Sequence, residues 1–179
     1  MNVRILCFAG SARRDSLNKK LARVAAASLH EAGAEANFID LADFPLPIYQ
    51  GDLEAEHGVP APARELADLV RAHDGLLIAS PENNASVSSL LKNTIDWLSR
   101  LPGVDVFGGR VAALAAASPG AFGGVRGLYH LRAILNTIGC EVIASQFVLP
   151  RAHQAFDADG HLADARSREQ LGAVARRLV

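Results

Sequence analysis

The chain has 179 residues, half of them hydrophobic, and a formal net charge of -1 at pH 7. This length favours a single domain, over residues 1–179, that buries its own core without metal or disulfide support. Acidic and basic residues are interspersed, which argues against a nucleic-acid surface and a polybasic membrane segment. The short apolar start leads into a polar loop, and the two cysteines, Cys7 and Cys140, lie in or at the entry of predicted strands. We therefore expect a cytoplasmic protein with buried, inert thiols and small-molecule partners.

Five short apolar runs alternate with amphipathic helical patterns along the chain. The runs predict strands at residues 3–9, 36–41, 75–80, 110–117 and 141–148. Apolar residues at helical spacing predict helices around residues 17–29, 66–70, 87–98, 128–138 and 164–178. Residues 44–62 show no periodicity. The alternation predicts an α/β protein, a flavodoxin-like three-layer sandwich around a five-stranded parallel sheet of order 2-1-3-4-5.

The predicted topology also indicates where a ligand binds. In sheets of this kind, ligands lie beyond the carboxyl ends of the strands, at the point where the strand order reverses. Here that point lies between the first and third predicted strands. The loops after the first, third and fourth strands are therefore the candidates for a binding site.

The loop after the first strand, GSARRDS, places hydroxyl and guanidinium groups at a predicted helix start. Ser16 stands at the N-cap of that helix. Ser11, Arg13 and Asn18 surround its free N–H groups and the positive end of its dipole, a combination that favours an anion. The loop lacks the Gly-Lys-Ser/Thr ending of a triphosphate loop and the Gly-x-Gly-x-x-Gly of a dinucleotide site. A capped helix in a solvated loop is the alternative interpretation.

The stretch SPENNASVSSLLKNTIDWLSR, residues 80–100, carries amides and hydroxyls to the same edge of the sheet. It resembles the NADPH-dependent FMN reductases, a family that includes quinone, chromate and azo-dye reductases. The matching positions are Pro81, Glu82, Asn84, Ser86, Leu91, Lys92, Asn93, Ile95, Asp96, Trp97, Ser99 and Arg100. The opening loop and the segments after the fourth and fifth strands fit the same family. The resemblance therefore covers nearly the whole chain.

The resemblance implies a protein that binds FMN and uses NADPH or NADH as co-substrate. Hydride would pass from the nicotinamide to the flavin and then to a quinone, azo compound, free flavin or similar acceptor. The residues expected to bind the cofactor are Ser11, Arg13, Ser16, Leu17, Asn18, Pro81, Glu82, Asn83, Asn84, Ser86, Ser118 and Gly120. Because the flavin carries the chemistry, no catalytic side chain and no metal ligand are expected. The family also implies a homodimer or homotetramer.

Some residues of the matching stretch need their own interpretation. Asn83 stands where the family usually has Tyr, so an amide replaces aromatic contact area against the flavin. Asp96 and Arg100 are four residues apart and are expected to form a weak surface ion pair. Trp97 lies off the apolar stripe of its helix. We expect it to be a partly exposed anchor or a subunit contact.

The loop after the fourth strand has little side-chain bulk. Ser118 and Gly120 belong to a stretch that suits close backbone approach to a flat ligand, although an ordinary flexible turn has the same composition. Arg126, at the start of the next helix, either contacts nucleotide phosphates or faces solvent. Two other functions stay open beside the reductase. They are a flavodoxin-type electron carrier, which has the same fold and cofactor, and a flavin-free binding module.

Overall fold

The structure, a computed structural model, describes residues 2–179. The strands of this part are β1 (Arg4–Ala9), β2 (Glu35–Ile39), β3 (Gly75–Ala79), β4 (Glu82–Asn83), β5 (Ser86–Val87), β6 (Val111–Ala117) and β7 (Glu141–Leu149). Its α-helices are α1 (Leu17–Glu31), α2 (Gly51–His57), α3 (Ala61–Arg71), α4 (Ser89–Leu98), α5 (Val125–Thr137) and α6 (Ala165–Leu178). Within these residues, no helix has the length and apolar character needed to cross a bilayer.

Five strands form a parallel sheet in the order β2-β1-β3-β6-β7. Counted without the short β4–β5 pair, this is the order 2-1-3-4-5, so the predicted flavodoxin-like topology is confirmed. The ends of these strands lie within two residues of the predicted ends. At the carboxyl edge, Ala79 of β3 is in register with Ala9 of β1 and Ala115 of β6. The loops after β1, β3 and β6 therefore meet at one edge.

Each face of the sheet carries its own core, because successive side chains of a strand point to opposite faces. Ile5 and Cys7 of β1 pack in the cluster that includes α1 and α6. Leu6 and Phe8 pack in the cluster that includes α3, α4 and α5. With both faces covered, the strands are apolar throughout, as the continuous runs in the sequence indicated.

Both cysteines are buried, which agrees with the expectation from their positions. Cys7 has no exposed surface and Cys140 is 2% exposed. Burial raises the pKa of Cys7 to about 12. It raises the pKa of Cys140 to about 11, against the opposing attraction of Arg110. Since the thiolate is the reactive form, both side chains are inert at neutral pH.

The segment without periodicity, residues 44–62, contains α2 and a tract that covers α4. The Trp97 indole N–H and the Asn93 amide both donate to the Pro47 carbonyl, at 2.8 and 2.9 Å. The Asn93 carbonyl accepts from the Tyr49 N–H at 2.7 Å, and the Tyr49 ring meets the Trp97 ring edge-on. Trp97 has no exposed surface. The prediction of a partly exposed anchor or subunit contact is therefore wrong, because the tract fills that side of the helix.

The expected ion pair between Asp96 and Arg100 is also wrong. Asp96 accepts from the Lys92 ammonium at 2.7 and 2.8 Å, one turn earlier in α4. Arg100 instead donates to the Glu54 carboxylate of α2 at 3.1 Å. Asp96 therefore pairs within its own helix, while α2, which the sequence did not predict, supplies the partner of Arg100.

Candidate functional site

A cleft of about 340 Å³ opens at the carboxyl edge of the sheet, a volume typical of small-molecule sites. Its lining comes from the loops after β1, β3 and β6 and from the start of α4. Nine of the twelve predicted cofactor residues line it: Ser11, Arg13, Ser16, Leu17, Asn18, Pro81, Glu82, Asn83 and Ser118. The other three, Asn84, Ser86 and Gly120, do not. The cleft therefore lies at the strand-order reversal, as the topology predicts.

The exit of β1 is fixed by contacts with β3 and α4. Gly10 donates its N–H to the Ala79 carbonyl at 3.0 Å, and its own carbonyl accepts from the Ser88 hydroxyl at 2.6 Å. A Cβ at position 10 would lie 3.0 Å from the Leu91 side chain, so any larger residue would push against α4 at this close approach. Ser88 also caps α4 by accepting from the Leu91 N–H. The loop after β1 thus holds a defined position beside the cleft.

The start of α1 places hydrogen-bond donors and a cation at one end of the cleft. The Ser16 hydroxyl accepts from the Lys19 N–H at 3.3 Å, as expected of an N-cap. The N–H groups of Leu17 and Asn18 precede the first intrahelical bonds and have no acceptor within the helix. Arg13 is exposed and makes no salt bridge with residues 2–179. A free guanidinium beside free N–H groups at a helix N-terminus favours a phosphate.

The side chain of Asn18 fixes the end of β6. It is 4% exposed, its Nδ2 donates to the Ala117 carbonyl at 2.9 Å, and its Oδ1 accepts from the Ala117 N–H at 2.9 Å. The amide oxygen and one of the two amide N–H groups are therefore committed to protein contacts. The loop after β6 takes its starting position from the first turn of α1.

The loop after β3 folds into a hairpin that the sequence did not predict. Glu82 pairs with Val87 and Asn83 with Ser86 in β4 and β5. Asn84 and the residue after it have positive φ angles of 50° and 63°, the geometry of a two-residue type I′ turn. Asn84 stands in this turn, away from the cleft. The Ser86 hydroxyl lies 2.9 Å from the His130 ring of α5, so Ser86 faces that helix and does not line the cleft.

Glu82 lines the cleft, but its carboxylate points to α5. It accepts from the backbone N–H groups of Arg126 and Gly127 at 2.9 and 3.2 Å, and from the Arg126 guanidinium at 2.9 and 2.5 Å. Burial alone would raise the pKa of Glu82, but these hydrogen bonds and the charge of Arg126 lower it below its ordinary value. Neither expectation for Arg126 anticipated this partner, because the two residues lie 44 positions apart.

The loop after β6 forms the third wall of the cleft, through Ser118 and Pro119. The Ser118 hydroxyl accepts from the Gly120 N–H at 3.2 Å, and the Ser118 carbonyl accepts from the Ala152 N–H at 3.0 Å. The Gly120 carbonyl accepts from the Arg151 N–H at 3.3 Å. Gly120 therefore supports the wall through its contact with Ser118 and the loop after β7.

A second group of potential ligands lies outside the cleft. The exposed side chains of Asp157, Asp159 and His161 place their ligand atoms within 4.8 Å of one another. The Asp157 carboxylate already accepts from the N–H groups of Asp159 and His161, at 3.0 and 2.8 Å. These bonds shape the turn between Phe156 and Leu162, which explains the grouping without an ion.

The donor set of the cleft fits a flat ligand with a phosphate at one end. Ser11, Arg13 and Ser16 supply a guanidinium and hydroxyls beside the free N–H groups of α1. The remaining walls carry few large side chains, with Pro81 and Asn83 on one side and Pro119 on another. FMN meets both requirements, because its phosphate is anionic and its ring system is flat.

The comparisons with known proteins agree with this chemistry. The family profile described as NADPH-dependent FMN reductase matches residues 3–154. The chain is 39% identical over 173 residues to a probable NADPH:quinone oxidoreductase 2 of Oryza sativa subsp. japonica, which covers 94% of this chain and 83% of the relative. It is 37% identical over 171 residues to an NAD(P)H-dependent FMN reductase of Pseudomonas aeruginosa, with 95% and 90% covered.

A solved structure gives the same picture. The flavoenzyme NAD(P)H:(acceptor) oxidoreductase FerB from Paracoccus denitrificans superposes with a TM-score of 0.85 and 29% identity, covering 98% of this chain and 94% of that chain. The fold, the similarity to these relatives and the family profile all lead to one assignment. This chain belongs to the NADPH-dependent FMN reductase family.

Proposed function

We propose that this protein is an NAD(P)H-dependent, FMN-containing reductase whose acceptors are quinones or similar small molecules. The observation that carries the proposal is the cleft at the carboxyl edge of the sheet, with a capped helix start and a free guanidinium at one end. The quinone class is supported by the relative from Oryza sativa, whose name specifies NADPH and a quinone.

The proposed division of labour follows the walls of the cleft. Ser11, Arg13 and Ser16 bind the phosphate of FMN together with the N–H groups of Leu17 and Asn18. The cleft residues Pro81, Glu82, Asn83 and Ser118 form the walls around the ring system. Asn84, Ser86 and Gly120 support those walls from outside the cleft.

Bound FMN supplies the hydride transfer, first from the nicotinamide and then to the acceptor. The protein contributes binding and orientation. The two charged side chains that line the cleft are Arg13 and Glu82, and the Glu82 carboxylate is already held by α5. This arrangement supports the expectation that no side chain acts as nucleophile or paired acid and base.

The proposal also covers the oligomeric state and the cellular location of the enzyme. We propose that residues 1–179 act as one FMN-binding domain and assemble as a homodimer or homotetramer in the cytoplasm. Two buried thiols that form no disulfide support a reducing compartment. Light scattering of the purified protein measures the assembly directly, and a monomer at micromolar concentration would contradict it.

A titration followed by reduction tests the function. The purified protein is titrated with FMN while the visible spectrum and flavin fluorescence are recorded, and NADPH or NADH is then added without oxygen. We expect stoichiometric binding, bleaching of the flavin band, and steady NAD(P)H oxidation once a benzoquinone is supplied. A protein that binds FMN but does not turn over NAD(P)H with the quinone would be an electron carrier. A protein that binds no FMN would be a flavin-free module.

A further inference from the structure

We infer that Glu82 is a positioning residue that acts through Arg126 and the start of α5, and thereby holds two walls of the cleft in the arrangement that the flavin ring requires. The inference rests on the proposed function, since it concerns the same cleft. It assigns to Glu82 a role other than contact with the cofactor.

The first support is the direction of the carboxylate. Both of its oxygens accept hydrogen bonds from α5: Oε1 from the Arg126 guanidinium, and Oε2 from the N–H groups of Arg126 and Gly127. Only 9% of the Glu82 side chain is exposed. A carboxylate with this set of donors is committed to the helix and has little capacity left for a ligand.

The second support is the missing cap of α5. The N-cap position of this helix is Gly124, which has φ of 94° and no side chain to accept from the first N–H groups. Glu82 provides that acceptor from a different loop, and its negative charge lies at the positive end of the helix dipole. The start of α5 therefore depends on the loop after β3 for its cap.

The third support is the close packing between the hairpin and α5. A Cβ at Gly127 would lie 3.1 Å from the Ser86 carbonyl oxygen and 3.4 Å from the Glu82 Cα, so the helix presents glycine where the hairpin approaches. A further contact joins Ser86 to His130, one turn later. The β4–β5 hairpin and the first turns of α5 are thus joined by packing as well as by the Glu82 hydrogen bonds.

Loss of the contact between Glu82 and α5 would affect the cleft through the loops on both sides of the contact. Pro81 and Asn83, which line the site, flank Glu82 in the chain. Ser118 and Pro119, which form the opposite wall, belong to the connection that leads into α5. Loss of the contact releases both walls on the ring side and leaves the phosphate site at α1 unchanged. Ligand affinity then falls because the free cleft is no longer preorganised.

The experiment compares Glu82→Gln, Arg126→Met and the double variant with the wild type. Glu169→Gln is the matched control, because Glu169 pairs with Arg176 at 2.6 Å within α6 and does not line the cleft. Dissociation constants for FMN and for riboflavin are measured by fluorescence titration. Hydrogen exchange of residues 82–87 and 125–131 is measured on the flavin-free protein.

We expect Glu82→Gln and Arg126→Met each to weaken FMN and riboflavin by the same factor, about tenfold, as for the loss of a charge-assisted hydrogen bond. The double variant should bind about as weakly as Glu82→Gln, because the guanidinium bonds that Arg126→Met removes are all made to Glu82. Exchange should accelerate in both segments, and the control should match the wild type. If Glu82→Gln does not fold, the same measurements on Arg126→Met alone test the inference.

Each contrary result has a defined meaning. Unchanged affinity and exchange in Glu82→Gln, while the wild type binds FMN, would overturn the inference and leave the proposed function intact. Weaker binding by Glu82→Gln with unchanged exchange of residues 125–131 would also overturn it, since Glu82 would then act on the ligand directly. Failure of the wild type to bind either flavin would refute the proposed function, and the inference with it.

Discussion

The side chain of Asn18 forms two hydrogen bonds with the backbone of Ala117, a residue 99 positions later in the chain. The amide takes the place of another strand at the end of β6, because it offers one donor and one acceptor to the same peptide unit. Both partners are buried. The first turn of α1 and the loop after β6, which form two walls of the cleft, are therefore fixed relative to one another.

The substitution Asn18→Ala is expected to lower the free energy of unfolding by about 2 to 4 kcal/mol, because it leaves two buried backbone groups of Ala117 without partners. Urea unfolding of the flavin-free protein measures this loss. The matched control is Asn136→Ala on the exposed side of α5, which should change stability by less than about 0.5 kcal/mol. Equal effects of the two substitutions would contradict the structural role of Asn18.

Trp97 supports a prediction about stability and not about assembly. Trp97→Ala should lower the free energy of unfolding by about 3 to 5 kcal/mol, the usual loss for a buried aromatic side chain. Trp97→Phe keeps most of the packing and loses the indole hydrogen bond to Pro47, so about 1 to 2 kcal/mol should be lost. The mass by light scattering should stay the same in both variants. A changed mass of a folded Trp97→Phe protein would instead indicate that Trp97 contributes to a subunit contact.

The sequence predicts the parts of this structure that depend on local pattern. The cap at Ser16 and the ends of the main strands follow from residues within a few positions of each feature. The burial of Trp97 depends instead on Pro47, 50 positions earlier, in a segment without periodicity. Trp97 lies outside the apolar stripe of α4, so the spacing of apolar residues in the helix predicts exposure. The side chain is buried because another segment of the chain packs over that face.

The hairpin after β3 was missed for a related reason. Its strands are two residues long, too short for an alternating pattern to indicate a strand. Its turn contains Asn84 and Ala85, without the Gly that most strongly marks a type I′ turn. The pattern Glu-Asn-Asn therefore predicted only a polar loop, and the direction of the Glu82 carboxylate could not follow from it.

The turn of that hairpin offers a test of backbone strain. Ala85 has φ of 63°, a conformation that costs an L-residue with a Cβ about 1 to 2 kcal/mol. Glycine removes this cost but loses more conformational entropy on folding, so Ala85→Gly should raise the free energy of unfolding by about 0.5 to 1 kcal/mol. Ala133→Gly, on the exposed face of α5, should lower it by about 1 kcal/mol. A destabilised Ala85→Gly protein would indicate that the turn has a different geometry.

Arg13 is expected to recognise the phosphate and not the ring of FMN. Arg13→Ala should weaken FMN binding by about 10- to 150-fold, the equivalent of one charge-assisted hydrogen bond, and leave riboflavin binding unchanged. Arg14→Ala is the matched control, because Arg14 is exposed in the same loop but does not line the cleft. Fluorescence titration of the wild type and both variants with FMN and riboflavin gives the dissociation constants. Equal losses for FMN and riboflavin would contradict the assigned phosphate site.

The Glu82 carboxylate gives the protein a predictable dependence on acid. Burial acts to raise the pKa of this carboxyl, but the hydrogen bonds and charge from α5 outweigh burial and hold the folded-state pKa below the ordinary value of 4.5. A depressed pKa of this kind stabilises the fold fully above the ordinary value, and the contribution is lost as the pH falls through the folded-state pKa. The difference in unfolding free energy between the wild type and Glu82→Gln should therefore be on the order of 2 kcal/mol at neutral pH and shrink below about pH 4.5.

Urea unfolding of both proteins at a series of pH values measures this difference. Glu169→Gln, in an exposed pair with Arg176, should track the wild type at each pH, because such pairs contribute little to stability. A difference between wild type and Glu82→Gln that widens with acidity would mean that the fold prefers the protonated carboxyl. That result would exclude the Glu82 carboxylate as the charged cap of α5.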